Sequence, residues 1–404
     1  MPPRGTRRLA LHVTAAAARA IKTGPPWVFA DAVVRRSFDA PAGTVAVAFD
    51  HQERFVAVGL YDPDGAIVFR ALSLTPATID AAFLTERIAA ARVRRDAVAA
   101  ANTGYRVVYG ESDGLPGLVV DRYAGVAVLK LYTAAWIPHL PAIVDAVRAA
   151  EPEVRTVVLR LTRNVAALPA ATAGLSDGDV LSGELDDPAV VFSENGLRFR
   201  ADVVRGQKTG FFLDQRDNRA RVGALAAGRR VLNVCAYSGG FSLYAARGGA
   251  AAVASLDVSA PALADAVRNF ALNEADPAVR RCPHELLTGD AFALLPALGR
   301  EGRRFDMVIL DPPAFAKKRE EVPGAIAAYG RLARAGFGVL APGGVLVACS
   351  CSSRVTAEEF FTVVREAATA VRRPLREIER TGHPADHPVS PGMDYLKVLF
   401  ARVD

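Results

Sequence analysis

From Gly206 onward, short apolar runs alternate with amphipathic stretches, and this alternation restricts the fold more than any other feature of the chain. Arg230 to Cys235 precedes Phe241 to Arg247, Ala252 to Asp257 precedes Pro261 to Asn273, and Glu285 to Leu287 precedes Phe292 to Leu298. Met307 to Leu310 then precedes Tyr329 to Leu340, and Val345 to Ser350 precedes Ala357 to Ala370. Largely apolar strand runs, each followed by an amphipathic helix, predict βαβ units and a parallel sheet covered on both faces. In such α/β sheets ligands gather beyond the carboxyl ends of the strands, at the point where strand order reverses. Upstream, Leu9 to Leu74 reads as a small helix near Thr14 to Lys22 and short strands at Trp27-Val-Phe, Thr44 to Asp50, Arg54 to Tyr61 and Ile67 to Ser73. Between the two lies an α+β stretch with a helix-like run from Asp80 to Asn102, hairpin-like strands and a second helix near Pro138 to Ala149. The Gly110-Glu-Ser-Asp-Gly-Leu-Pro-Gly117 segment has the punctuation of a tight turn between strands. At 404 residues the chain suits two to three domains, and the expected division is 1–75, 76–200 and 201–404.

A hydrophobic fraction of 51% with 23% charged residues excludes a disordered chain. Lysines and arginines number 49 against 43 acids. Arg4, Arg7, Arg8, Arg19, Lys22, Arg35 and Arg36 meet only Asp31 in the opening stretch, a surface that suits phosphate as well as plain solvation. The four cysteines, Cys235, Cys282, Cys349 and Cys351, have neither paired zinc-ligand spacing nor a disulfide framework, so no metal site and a reducing, cytoplasmic setting are expected. No apolar export signal opens the chain. The long uncharged run from Ala335 to Ser353 is split by Pro342-Gly343-Gly344 into a helix end and a strand, which argues against a membrane span.

The first strand, Val231-Leu-Asn233-Val-Cys235, runs into Ala236-Tyr237-Ser-Gly239-Gly-Phe241, where two glycines let backbone approach a ligand at a helix start. Gly-x-Gly-x-x-Gly is absent, which makes a nicotinamide enzyme remote. Asp257 closes the second strand, where a carboxylate can accept from ribose hydroxyls, and Asp290 closes the third, placed for an adenine amino group. Singly, each reads as well as a helix cap or a turn. In this order they form the layout expected for S-adenosylmethionine.

After the fourth strand come Asp311, Pro312, Pro313, Ala314 and Phe315, an acid on a loop stiffened by two prolines, with a ring able to stack on a base drawn out of a helix. Cys351 closes the fifth strand. Cytosine C5 becomes nucleophilic once a thiolate adds to C6, so a thiol opposite an acid that hydrogen-bonds the ring suits methylation at carbon. Cys349 alternates to the other face of its strand and reads as a small buried hydrophobe, as do Cys235 and Cys282.

Several segments together resemble the bacterial large-subunit ribosomal RNA cytosine-C5 methyltransferases of the RlmI type. They are Gly206-Gln-Lys-Thr-Gly-Phe-Phe-Leu-Asp-Gln-Arg-Asp-Asn-Arg219, Tyr237-Ser-Gly-Gly-Phe241, Asp311-Pro-Pro-Ala-Phe315, Ser350-Cys-Ser352, Ala385-Asp-His-Pro388, Trp27-Val-Phe and Gly110 to Gly117. The resemblance spans nearly the whole chain. It implies an N-terminal PUA domain for RNA, a central hairpin-containing domain and a C-terminal Rossmann-like class I methyltransferase. It also implies 23S ribosomal RNA as the partner, Cys351 as the nucleophile and a cofactor border along Gln207, Phe212 and Arg216. Two other readings stay open: methylation of a base nitrogen with Cys351 only packing, and a noncatalytic ribosome-assembly factor. His383 and His387 read as structural. The modified nucleotide and the oligomeric state, a homodimer included, are not legible in the sequence.

Overall fold

The structure, a computed structural model, describes residues 8–168, 172–390 and 392–403. Backbone contacts divide the chain into two units, one of residues 1–193, 201–213 and 385–392, the other of residues 194–200, 214–384 and 393–404.

The first unit holds two sheets. Six strands run in the spatial order Trp27–Phe29, Ile67–Ser73, Phe55–Tyr61, Val45–Phe49, Leu9–Val13 and Val33–Arg36. Two of these, Leu9–Val13 and Val33–Arg36, are absent from the sequence reading because each is short and is paired by a distant partner. The helix Ala15–Thr23 is capped by Thr14, whose hydroxyl accepts from the Ala17 amide. Arg4 and Arg7 lie outside the described residues. Arg35 and Arg36 form ion pairs with Glu53 and Asp39, so part of the basic front is already engaged.

The second sheet of this unit orders Val180–Ser182, Thr156–Leu161, Val126–Leu131, Leu118–Tyr123 and Gly104–Tyr109. The helix expected over Asp80 to Asn102 is instead two pieces, Ala81–Val93 and Asp96–Ala99. The break has a physical cause at Arg95, which is fully enclosed. Its guanidinium donates to both oxygens of Asp113 at 2.7 and 2.6 Å, and to the carbonyls of Ala91, Arg106 and Asp386. A buried cation needs this full set of partners, and reaching them outweighs continuing the helix. Asp113 thereby gives the Gly110 to Gly117 turn a structural role. Asp386 is equally enclosed and accepts from the Arg106 amide at 3.0 Å, while His387 packs on Tyr109, so this histidine is part of the interior.

In the second unit the strands are β1 (Arg230–Val234), β2 (Ala252–Asp257), β3 (His284–Thr288), β4 (Phe305–Leu310), β5 (Leu340–Ser350), β6 (Leu375–Thr381) and β7 (Lys397–Val403). Their spatial order is β3-β2-β1-β4-β5-β7-β6. The first five are parallel, and β7 runs antiparallel between β5 and β6. The order reverses between β1 and β4, which fixes the crevice where ligands belong. The expected strands and helices of this region are all present. The last two strands were not foreseen, because β6 carries Arg376, Glu377, Glu379 and Arg380 within its short span and is only partly buried.

Among the described residues the longer helices on the sheet are α1 (Arg216–Leu225), α2 (Gly240–Arg247), α3 (Ala260–Leu272), α4 (Ala291–Arg300), α5 (Val322–Val339) and α6 (Ala357–Ala370), with a single short helical turn at Pro277–Arg281 besides. One core joins Leu232, Val308 and Leu346 of the sheet to Leu298 of α4, Phe337 of α5 and Phe360 of α6. Helix α5 starts seven residues before the expected Tyr329; Pro323 sits in its first turn, where a missing N–H costs nothing. Among the described residues no helix is long and apolar enough to cross a membrane.

Candidate active site

Beyond β1 the backbone turns through left-handed conformations at Cys235 (φ 60°), Tyr237 (φ 47°) and Gly239 (φ 75°). A side chain at Gly239 would also put its Cβ 2.7 Å from that of Ala266, so glycine is required there twice over. The loop is held by its neighbour on β2: Asp257 accepts from the Tyr237 amide at 2.8 Å and from the Ser259 amide at 2.9 Å. A carboxylate has about four lone-pair directions, so two remain for hydroxyl groups. Next to it Val258 is 73% exposed, an apolar surface on which a flat ring can lie. Asp290, also exposed, caps α4 by accepting from the Phe292 and Ala293 amides at 2.7 and 3.2 Å. A glycine-lipped loop, an anchored carboxylate and open apolar surface fit an adenosyl group.

The other expected cofactor residues fall in different surroundings. Asn233 is fully enclosed and donates to the Ser242 hydroxyl at 2.9 Å, so its side chain supports the loop from beneath. Arg216, in the first turn of α1, is 3% exposed. Gln207 and Phe212 belong to the first unit, where Gln207 is exposed and Lys208 lies over the Phe212 ring.

At the ends of β4 and β5 the second cluster assembles. The Cys351 thiol lies 3.9 Å from the carbonyl oxygen of Pro312, and is half-buried, so it is neither sealed in nor turned away from the Asp311 loop. The Ser352 hydroxyl donates to the Ala316 carbonyl at 3.0 Å and ties the two loops together. Lys397, opposite Ser350 in the β5–β7 register, is buried, and its ammonium donates to the carbonyls of Ser352 and Val355 at 2.5 and 2.7 Å. That cation fixes the turn following Cys351. Cys349 is 1% exposed, and burial, reinforced by the Asp311 carboxylate, pushes its thiol well above the usual range. Pro312 is buried and Pro313 exposed. The Phe315 ring is half-buried against Tyr329, with centroids 4.8 Å apart, and so presents only part of its surface.

Asp311 ends a directional chain that the sequence reading missed. The Thr381 hydroxyl donates to Asn218 Oδ1 at 2.5 Å, Asn218 Nδ2 donates to Gln215 Oε1 at 2.7 Å, and Gln215 Nε2 donates to Asp311 Oδ1 at 3.0 Å. Gln215 and Asn218 are 3% and 1% exposed. Each donor faces an acceptor only with both amides turned this way, and the last link requires Asp311 Oδ1 to accept. Gln215 sits beside Arg216, but polar residues at a helix start read equally well as caps. Lys397 gave no signal either, because β7 had not been recognised.

The chain matches, over residues 160–402, a family of S-adenosylmethionine-dependent methyltransferases and, over residues 11–74, a PUA-like domain. It is 49% identical to a ribosomal RNA large subunit methyltransferase of Deinococcus radiodurans, covering 100% of this chain and 99% of the relative. It is 34% identical to ribosomal RNA large subunit methyltransferase I of Vibrio parahaemolyticus, over 98% and 99% of the two chains. A methyltransferase crystallised with SAH has the same fold, with a TM-score of 0.82 at 23% identity over 98% of this chain and 100% of that one. With α/β architecture, a PUA-like domain and these relatives, the chain belongs to the S-adenosylmethionine-dependent methyltransferases of the ribosomal RNA large subunit methyltransferase I family, and S-adenosylmethionine is its cofactor.

Proposed function

We infer that this chain methylates C5 of a cytosine in large-subunit (23S) ribosomal RNA, through a covalent bond between Cys351 and C6. The observation that carries this reading is the half-buried Cys351 thiol resting on the Pro312 carbonyl, one residue from Asp311. Enzymes that act on a base inside a helix take it out of the stack, and the rigid Pro312-Pro313 loop is a wall against which such a base can stand.

In this mechanism Cys351, as thiolate, adds to C6 and the ring's electron pair shifts to C5. Asp311 accepts from the exocyclic amine and shares a proton with N3, which takes up the charge that reaches the ring as sulfur adds and is given back when the C6–sulfur bond breaks. S-adenosylmethionine supplies an electrophilic methyl group, held by Tyr237, Gly239, Asp257, Asp290 and Arg216. C5 takes the methyl, its proton passes to water, and the C6–sulfur bond breaks to return the thiolate and the aromatic ring. Lys397 holds the turn that carries the sulfur, and Gln215 orients the carboxylate. The PUA-like domain, with its basic opening segment, suits contact with RNA phosphates.

The test is RNA carrying 5-fluorocytidine, which cannot lose a proton from C5 and so leaves the enzyme bound. The native protein is expected to give a covalent RNA complex on denaturing gels, and Cys351→Ala none. Full methyl transfer by Cys351→Ala would overturn the carbon mechanism and favour a base nitrogen as acceptor.

A further inference from the structure

Phe292 is the second residue of α4 and keeps 38% of its surface in water, although large aromatic rings are normally covered. It is not loosely held. Its amide donates to Asp290 at 2.7 Å, its ring centroid is 6.2 Å from that of Phe315, and the guanidinium of Arg331 lies over it at 5.6 Å. Phe315 in turn packs on Tyr329. An aromatic step therefore leads outward from the Asp311 loop and ends in an exposed ring flanked by a cation. The same loop continues directly into Lys317, Lys318 and Arg319, all exposed. Glu321 accepts from the Lys317 and Lys318 amides at 2.7 and 3.1 Å, which fixes the backbone that carries these side chains.

Flat rings interleaved with cations, on rigid backbone, match the chemistry of an unpaired nucleic-acid strand: bases stack on the rings and phosphates meet the cations. An apolar protein partner would not need the cations, and a duplex would not need the ring. We propose that Phe292 and Arg331 form a stacking platform for an RNA base next to the one that is methylated, with Lys317, Lys318 and Arg319 along the path of its phosphates. The proposal rests on the reading of RNA as substrate and extends it: it assigns a strand path within the methyltransferase unit, separate from the PUA-like domain. Because the ring is already ordered by its neighbours, stacking on it loses little side-chain freedom.

The test uses a fluorescein-labelled single-stranded RNA of about a dozen nucleotides, long enough for a site of this kind, with S-adenosylhomocysteine present. Phe292→Ala is expected to weaken RNA binding by roughly tenfold or more, Phe292→Trp to retain it, and S-adenosylmethionine affinity to stay within about twofold in both. Replacing Lys317, Lys318 and Arg319 by Gln is expected to flatten the dependence of log affinity on log salt by about 0.7 for each phosphate no longer neutralised. Unchanged RNA affinity in Phe292→Ala overturns the platform. Weakened cofactor binding in step with RNA binding also overturns it, because the ring would then belong to the cofactor site. These outcomes separate from failure of the carbon mechanism, since a protein that binds RNA through Phe292 yet gives no adduct with 5-fluorocytidine fails only in the latter.

Discussion

Replacing Gln215 by Leu removes the last link to Asp311 while keeping a similar volume. The structure sets the size of the effect. A hydrogen bond to a charged acceptor contributes about 1.5–3 kcal/mol and a neutral one about 1, and besides its bond with the Cys349 thiol Gln215 donates to Asp311 and accepts from Asn218. The first is felt where Asp311 acts, so the loss in the chemical step is about 2 kcal/mol, roughly thirtyfold in rate. The second falls on folding, since Asn218 is left buried with an unmet donor. Single-turnover methyl transfer at saturating cofactor, alongside thermal unfolding, separates the two. Gln215→Glu sets a second carboxylate against Asp311 and should slow the step at least as much, and Thr381→Val, at the far end of the chain, should show a smaller loss. A Gln215→Leu enzyme with a single-turnover rate within about twofold of native would refute the claim that this chain of amides orients Asp311.

Further expectations concern protonation, thiol reactivity and packing. Burial pushes His284 from its ordinary 6.5 down to about 4, while it stacks on Phe270 and bonds the Ser255 hydroxyl. The unfolded chain therefore binds the proton more tightly, and stability present above pH 6.5 is lost as pH falls toward 4, by at most about 3 kcal/mol; urea unfolding of His284→Gln should be less acid-sensitive than that of the native chain. Burial, and then the carboxylates of Asp311, Asp257 and Asp290, push Cys235 up to about 12, and burial raises Cys349 and Cys282. Since only thiolates react, mass spectrometry after brief iodoacetamide treatment at pH 8 should find Cys351 modified first, and earlier labelling of Cys349 would contradict the geometry. Thr356 and Glu359 cap α6 reciprocally, so Thr356→Ala should lower stability by about 1 kcal/mol in chemical unfolding. Phe360, 1% exposed and edge-on to Tyr329, should cost about 3–5 kcal/mol when cut to Ala.

The fold of the second unit was legible because β1, β2, β4 and β5 are largely apolar runs, the mark of parallel strands buried on both faces, and the short edge strand β3 falls in the same alternation with helices. β6, half-exposed and charged, leaves none, and β7 went unread with it. The site was legible where a residue type is unusual for its place: a double proline after an acid, left-handed glycine at a helix start, a cysteine at a strand end. Gln215, Asn218, Thr381 and Lys397 were not, since their importance comes from partners dozens of residues away, and nothing local distinguishes a buried amide that serves a carboxylate from one that caps a helix. Asn233 stands differently: its place just before the loop suggested cofactor contact, whereas its side chain is enclosed and bonds the Ser242 hydroxyl.

Asp257 fastens the loop of Tyr237 and Ser259 and also presents its remaining oxygen lone pairs outward. On the proposed reading one side chain is at once a rivet and a handle, and truncation cannot tell the two apart: Asp257→Ala would let the loop relax, and any weakening of adenosyl affinity would mix a missing hydrogen bond with a misshapen receptacle. Isosteric Asp257→Asn sets an NH2 against one of the two loop amides and so loosens the rivet as well, and a bond from this carboxylate to the ribose is isolated only on the unaltered chain, by comparing S-adenosylhomocysteine with its analogue lacking the ribose hydroxyls.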